Sequence, residues 1–146
     1  MKFDRIGILC LMLALAVPSF AHHLAVIVNK SNAVDNVTSA HLSDIFRSEV
    51  NKWPDGNPII LVLHANLVTE NQTLQHLNKM STAELKAHIA AHKDSIHIVG
   101  TDDDLLKEVE ANPGAIGLVD VRSINEHVKV VKVDGKLPLE SGYLPH

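Results

Sequence analysis

Cysteine is almost missing from this chain: the one present, Cys10, lies inside the first apolar run. That excludes a disulfide framework, and once the run is removed no thiol remains, so the core alone must hold the fold. A lipid-modified cysteine would have to follow such a run as the new first residue, which Cys10 does not. Long hydrophobic stretches are equally scarce. Only residues 6–17 form one, and it falls short of the roughly 20 apolar residues that a membrane-spanning helix needs. Positive charge is in deficit, with 13 Lys and Arg against 17 Asp and Glu and a net charge of −4. A basic stripe for nucleic acid or an anionic membrane is therefore not expected. A small anion is not excluded, because oriented backbone N–H groups can hold one without net positive charge. Catalytic signatures are absent too: there is no nucleophile elbow, phosphate-cradling P-loop, His-Glu-x-x-His zinc motif or dinucleotide glycine fingerprint. An enzyme is not expected.

What is present begins with an export signal. Lys2 and Arg5 precede the apolar run, and Pro18-Ser19-Phe20-Ala21 offers small residues before a cut. Residues 1–21 read as a cleaved leader, which leaves residues 22–146 as one ordinary domain. The expected location is periplasmic or secreted, with no stable membrane insertion after cleavage.

Strand and helix signals alternate along that domain. Residues 24–28 are continuously apolar and β-rich, as in a buried strand. Thr38 or Ser39 can cap a helix carrying Leu42, Ile45 and Phe46. Residues 59–63 form a second strand with no polar face, so both of its sides should be covered by helices. Leu74, Leu77 and Met80 recur at helical spacing, and Ser81-Thr82-Ala83-Glu84 matches a capping box opening a helix with Leu85 and Ile89. Residues 96–99 are a short strand; Thr101 to Asp104 is an acidic helix start, and Asn112-Pro113-Gly114 stops that helix. Residues 115–119 form a fourth strand, and residues 128–133 alternate Val and Lys like a half-buried edge strand. This order predicts an α/β domain with a mostly parallel sheet of about five strands flanked by helices. Ligands of such sheets bind beyond the carboxyl ends of the strands, here in loops such as residues 29–36 and 64–71.

Several segments, in this order, carry a family resemblance: Val26-Ile27-Val28-Asn29, Leu42-Ser43-Asp44-Ile45-Phe46, Trp53-Pro54-Asp55-Gly56, Pro113-Gly114-Ala115-Ile116-Gly117-Leu118-Val119 and Val133-Asp134-Gly135-Lys136-Leu137-Pro138. Together they resemble the substrate-binding proteins of phosphate ABC transporters. The resemblance implies a single lobe of a type 2 periplasmic-binding-protein fold, where full-length members clamp the ligand between two lobes. It also implies a small oxyanion such as phosphate as the ligand, held either in a weak open site on the lone lobe or against a wall supplied by a second copy or an envelope protein partner; no cofactor is expected. The chain departs from the family in the loop after the second strand. The family has an arginine and then a Gly-Ser-Gly-Thr stretch opening a helix; here the residues are His64-Ala65-Asn66-Leu67-Val68-Thr69-Glu70-Asn71-Gln72. The glycines are gone, His64 stands near the arginine position, Thr69 keeps a hydroxyl, and Glu70 brings a negative charge. Losing donors worth about 1.5–3 kcal/mol each to an anion would weaken affinity by orders of magnitude. The expected ligand set is Ser31, Asn32, His64, Thr69, Glu70, Asn71 and Thr101.

All ten histidines follow the leader. His88 and His92 lie one turn apart on a helix with Glu84 a turn earlier, and could begin a zinc or copper site, the plainer account being a solvated helix face. His22, with a free amine after cleavage, could chelate copper. Trp53 reads as packing its loop against Phe46, and Asp102-Asp103-Asp104 as helix capping. Three functions follow: an exported solute-binding-like module with weak oxyanion binding, an envelope adaptor that has lost its ligand, or a histidine-based metal binder.

Overall fold

The computed structural model describes residues 23–145; the leader and the His22 site lie outside them. Leu24–Asn29 forms β1, Asn36–Val37 β2, Ser39–Phe46 helix α1, Ile60–His64 β3, Val68–Asn78 α2, Thr82–Ala91 α3 and Ile96–Val99 β4. Asp102–Ala111 then forms α4, Ala115–Asp120 β5, Val121–Ser123 a 3-10 turn and Val128–Val133 β6. The helices start where capping chemistry allows. Thr38 Oγ1 accepts from His41 N at 3.1 Å, Thr101 Oγ1 from Asp104 N at 3.1 Å, and Ser81 and Glu84 complete the capping box that opens α3.

The strands join one six-stranded sheet in the order β2-β6-β1-β5-β3-β4. Strand β3 runs parallel to β4 and β5, and β2 parallel to β6, while β1 is antiparallel to both of its neighbours. Five strands therefore point one way and β1 the other. Side chains leave alternate faces of a strand, so each apolar run feeds two cores. Val26, Val28, Leu61, Leu63, Ile116 and Leu118 pack with Leu42, Ile45 and Phe46 of α1, Leu74 of α2 and Leu85 of α3. On the other face Ile27, Val62 and Val119 pack with Leu105, Leu106 and Val109 of α4. Burial on both faces is why these strands read as unbroken hydrophobic runs. At Gly117 the sheet touches α4 so closely that a Cβ would lie 3.0 Å from the Leu105 side chain.

Trp53 belongs to the same core as Phe46, and its Nε1 donates to the Gly114 carbonyl at 2.9 Å. This ties the Trp53 loop to the start of β5. The last residues return over the sheet, where the buried Tyr143 hydroxyl accepts from Val26 N at 3.0 Å and donates to Val131 O at 2.5 Å. Val26 and Val131 are register partners of β1 and β6, so the phenol is spliced into the ladder between them.

Two expectations need correction. Strand β6 is not an edge: β2 pairs along its outer side, and β2 and β4 are the sheet's edges. The loop of residues 29–36 does not share an end of the sheet with residues 64–71. Because β1 is reversed, Leu24 lies level with the carboxyl end of β5, opposite Asp120, while Val28 lies opposite Ile116 near the amino end of β5. Its following loop therefore emerges beside the strand starts.

Candidate functional site

Pairing between β3 and β5 extends only to Val62 and Gly117, while β3 stays paired with β4 through His64 and Val99. The His64 N–H on the open side accordingly has no strand acceptor. It donates instead to Glu70 Oε2 at 2.9 Å, and the other Glu70 oxygen, Oε1, lies 3.0 Å from the ring Nδ1 of the same histidine. Glu70 sits in the first turn of α2, where the helix dipole favours a carboxylate and where Leu67, the N-cap residue, supplies no side-chain cap. Its side chain is fully buried. A buried carboxylate is costly unless paired and hydrogen-bonded, and both conditions are met by one residue.

The far side of the His64 ring is closed as well. Nε2 lies 2.7 Å from Asp102 Oδ1, and Asp102 Oδ2 accepts from Ser123 Oγ at 2.6 Å. A chain of polar side chains thus runs Ser123, Asp102, His64, Glu70 across the carboxyl ends of β3 and β5 and the start of α4. The Glu70 hydrogen bond, aided by the charge of both carboxylates and opposed by burial, holds the His64 imidazole above its ordinary range. Burial pushes the Glu70 carboxyl up, against hydrogen bonds from His64 that pull it down. Both shifts keep a proton on the pair. Both ring nitrogens are thus engaged by carboxyl oxygens, and the Ser123 hydroxyl donates to Asp102. That hydroxyl meets the Asp102 carboxylate and not the imidazole, so the direct Ser–His contact of acyl-transfer triads is not formed by these four residues.

Of the residues expected to bind a ligand, only His64, Glu70, Thr69, Asn71 and Thr101 fall at this end of the sheet. Thr69 lines a shallow depression of about 90 Å³ with Leu24, Leu67, Asp102 and Asp120. Thr101 is occupied as the N-cap of α4, and Asn71 lies half-buried on α2. Ser31 and Asn32 sit at the other end: Ser31 Oγ donates to Asn29 Oδ1 at 2.7 Å, and Asn32 Oδ1 accepts from Val34 N at 3.0 Å. Reasoning from sequence missed Asp102 as a partner of His64 and missed Ser123 entirely, the first because Asp102 reads equally well as a helix-start acid. The His88 and His92 rings, tilted by 36° with 4.2 Å between centroids, are engaged with Ser48 Oγ and the His88 carbonyl. Burial lowers the His88 pKa. Among the described residues no group of three or more His, Cys, Asp or Glu side chains is placed to hold a metal ion.

A family model described as the PBP superfamily domain matches residues 14–144. The chain belongs to the PBP superfamily. Solved structures agree with the fold. An ABC-type phosphate transport receptor from Vibrio cholerae is 20% identical with a TM-score of 0.66, over 80% of this chain and 48% of that one. PstS from Borrelia burgdorferi is 18% identical with a TM-score of 0.63, over 80% and 49%. A phosphate-binding protein from Stenotrophomonas maltophilia is 16% identical with a TM-score of 0.66, over 84% and 42%. This PBP chain spans about half the length of the structures it matches. No curated protein matched it. Among the described residues no helix is long and apolar enough to cross a membrane.

Proposed function

We propose that this PBP-superfamily chain is an exported, non-catalytic recognition module whose anion seat is filled by its own Glu70, so that it serves a protein partner in the envelope and not free phosphate. One observation carries the reading: Glu70 is fully buried with both carboxylate oxygens on His64. An oxyanion entering there must displace that carboxylate. Breaking a buried pair costs about 3–5 kcal/mol, and each 1.4 kcal/mol is about tenfold in affinity, so roughly two to four orders of magnitude are lost before any contact is made. This geometry supports a reading in which oxyanion binding is weaker still than the sequence alone suggests. Calorimetry and thermal shift with millimolar phosphate and sulfate should show no binding by the native protein. Saturable phosphate binding in the micromolar range would overturn the proposal.

The interaction half is supported by what stands around that seat. Val68, at the start of α2, is 66% exposed, and Leu139, in the returning tail, is 70% exposed. Leu139 borders a groove of about 300 Å³ that takes in Thr69, Thr73 and Leu24. Large exposed apolar groups beside a groove suit a protein contact better than a hydrated anion. A photo-crosslinking residue at position 68 or 139, in protein expressed in the envelope, should capture a partner that the same residue at the exposed Lys107 does not. Equal or absent capture at all three positions would count against it.

A further inference from the structure

The two edges of the sheet are finished differently. Strand β2 is only two residues long, and the Asn36 side chain in it is tied to Gly135 N at 2.7 Å; a very short edge offers little to a second chain. Strand β4 spans Ile96–Val99 and pairs on one side only, with β3. Natural sheets blunt such an edge with Lys, Pro, a bulge or a covering segment. The run Ile96-His97-Ile98-Val99 has no Lys or Pro, and Ile98 stands 48% exposed on it.

The free backbone groups of this edge match a copy of themselves. Leu61 N donates to Ser95 O at 2.9 Å and Ala65 N to Val99 O at 2.8 Å, so Ser95, His97 and Val99 turn their backbone groups toward β3, and Ile96, Ile98 and Gly100 turn theirs outward. Ile96 N is already spent on His92 O at 3.0 Å. Among the described residues the outward N–H groups of Ile98 and Gly100 and the carbonyls of Ile96 and Ile98 meet no protein partner. Nothing lies within 4 Å of the place a Cβ on Gly100 would take. A second copy related by a two-fold axis presents the same row antiparallel. With the axis at Ile98, each Ile98 N–H meets the Ile98 carbonyl of the other copy, and each Gly100 N–H meets the Ile96 carbonyl. With the axis at His97, the Ile98 carbonyl would face the spent Ile96 N–H. Only the first register uses every free group.

Side chains agree with that match. It sets the two exposed Ile98 side chains opposite each other on one face of the sheet, as cross-strand neighbours. It also brings the end of the edge that carries exposed Lys93 against the end where exposed Asp103 and Asp104 open α4, with Asp94 as the one like charge beside Lys93. We infer that β4 is the seat of a second copy of this chain, joined through an antiparallel β4 to β4 contact with its two-fold axis at Ile98. The contact leaves Val68 and Leu139 free and does not depend on the function proposed above. An edge contact of this length stands below the roughly 1,200 Å² of standard interfaces, so the dimer is weak and depends on concentration.

Sedimentation velocity of the native protein from about 5 μM to 1 mM should show a monomer passing into a dimer with micromolar affinity. Ile98→Lys sets like charges opposite each other at the axis. It should weaken association at least about tenfold, with a native melting temperature because the side chain is exposed. Val68→Lys, on the other exposed apolar patch, should associate as the native protein does. In the native protein the amide hydrogens of Ile98 and Gly100 should exchange about tenfold more slowly where roughly nine chains in ten are paired, and this reading decides should Ile98→Lys fail to fold. A monomer at every concentration, a dimer that survives Ile98→Lys or is lost in Val68→Lys, or exchange at Ile98 and Gly100 that ignores concentration would each overturn the inference.

Discussion

Glu70 grips His64 twice, one oxygen on the backbone N–H at 2.9 Å and the other on ring Nδ1 at 3.0 Å. The helix that in the family resemblance opens toward an anion thus turns its own carboxylate onto the preceding strand. Truncating that carboxylate should be expensive. Glu70→Ala leaves the His64 N–H and ring short of acceptors inside a fully buried site, and should cost about 3–5 kcal/mol in urea-induced unfolding. Glu70→Gln, which keeps an acceptor oxygen of the same shape, should cost clearly less. Equal loss in the two variants would show that volume, and not the hydrogen bonds to His64, holds this corner together.

The same pair makes stability depend on pH with a definite sign. His64 binds its proton more tightly folded than unfolded, chiefly through the Glu70 hydrogen bond. Burial raises the Glu70 carboxyl in the same direction. The folded state therefore holds more protons than the unfolded state as pH rises above the ordinary carboxyl and histidine values. Stability falls wherever the native state binds the extra proton. The contribution is fully present below the unfolded pKa values and is lost as pH rises through the raised folded ones. Urea unfolding between about pH 5 and 9 should show this decline in the native protein and a flatter profile in Glu70→Gln, which removes the buried titrating carboxyl and the chief cause of the His64 shift. Native and variant profiles that run parallel across the range would refute it.

Much of the fold could be read from residue patterns, because its determinants are local. The runs that became β1, β3 and β5 are apolar throughout since both faces are covered, and Ser81, Thr101 and Thr38 marked the helix starts through their own side-chain bonds. What stayed hidden is non-local. The reversed direction of β1 is set by pairing with β5 and β6, far along the chain, and alternation of strands with helices cannot reveal it. That one reversal moved Ser31 and Asn32 away from His64. The candidate site was half legible: His64 and Glu70 stood out as departures from a family pattern, whereas Asp102 meets His64, and Ser123 meets Asp102, only through the fold. The groove beside Leu139 leaves no periodic signal at all.

Tyr143 joins two strands through one oxygen, so removing that oxygen should be felt. Tyr143→Phe keeps the ring but strands Val26 N and Val131 O, both buried, at an expected cost of about 1–3 kcal/mol. It is the only tyrosine, and burial pushes its hydroxyl up to about 12. Ultraviolet titration of the folded protein should therefore show no phenolate through pH 10, where an ordinary tyrosine would be half ionised. A midpoint near 10 in protein still folded would mean that the hydroxyl is not held in the ladder.

Gly114 is the position where the backbone tolerates no side chain. A Cβ there would lie 1.9 Å from the Pro58 carbonyl oxygen, and this atom belongs to the backbone just before β3, so it cannot swing aside. The neighbouring bonds are the ones that align β3 with β5: Ile60 N donates to Gly114 O at 3.0 Å, and the Trp53 indole shares the same acceptor at 2.9 Å. Gly114→Ala must therefore separate the two strand starts or turn the Gly114 carbonyl away from both donors. Either movement also disturbs the anchoring of Trp53. The expected loss is at the upper end of overpacking costs, about 3 kcal/mol or more, read as a fall in the urea midpoint together with a red-shifted Trp53 emission. At Gly100, where a Cβ would meet nothing within 4 Å, the same substitution should leave both readings close to native. If Gly114→Ala were as mild as Gly100→Ala, the close approach of β5 to Pro58 would not exist in solution.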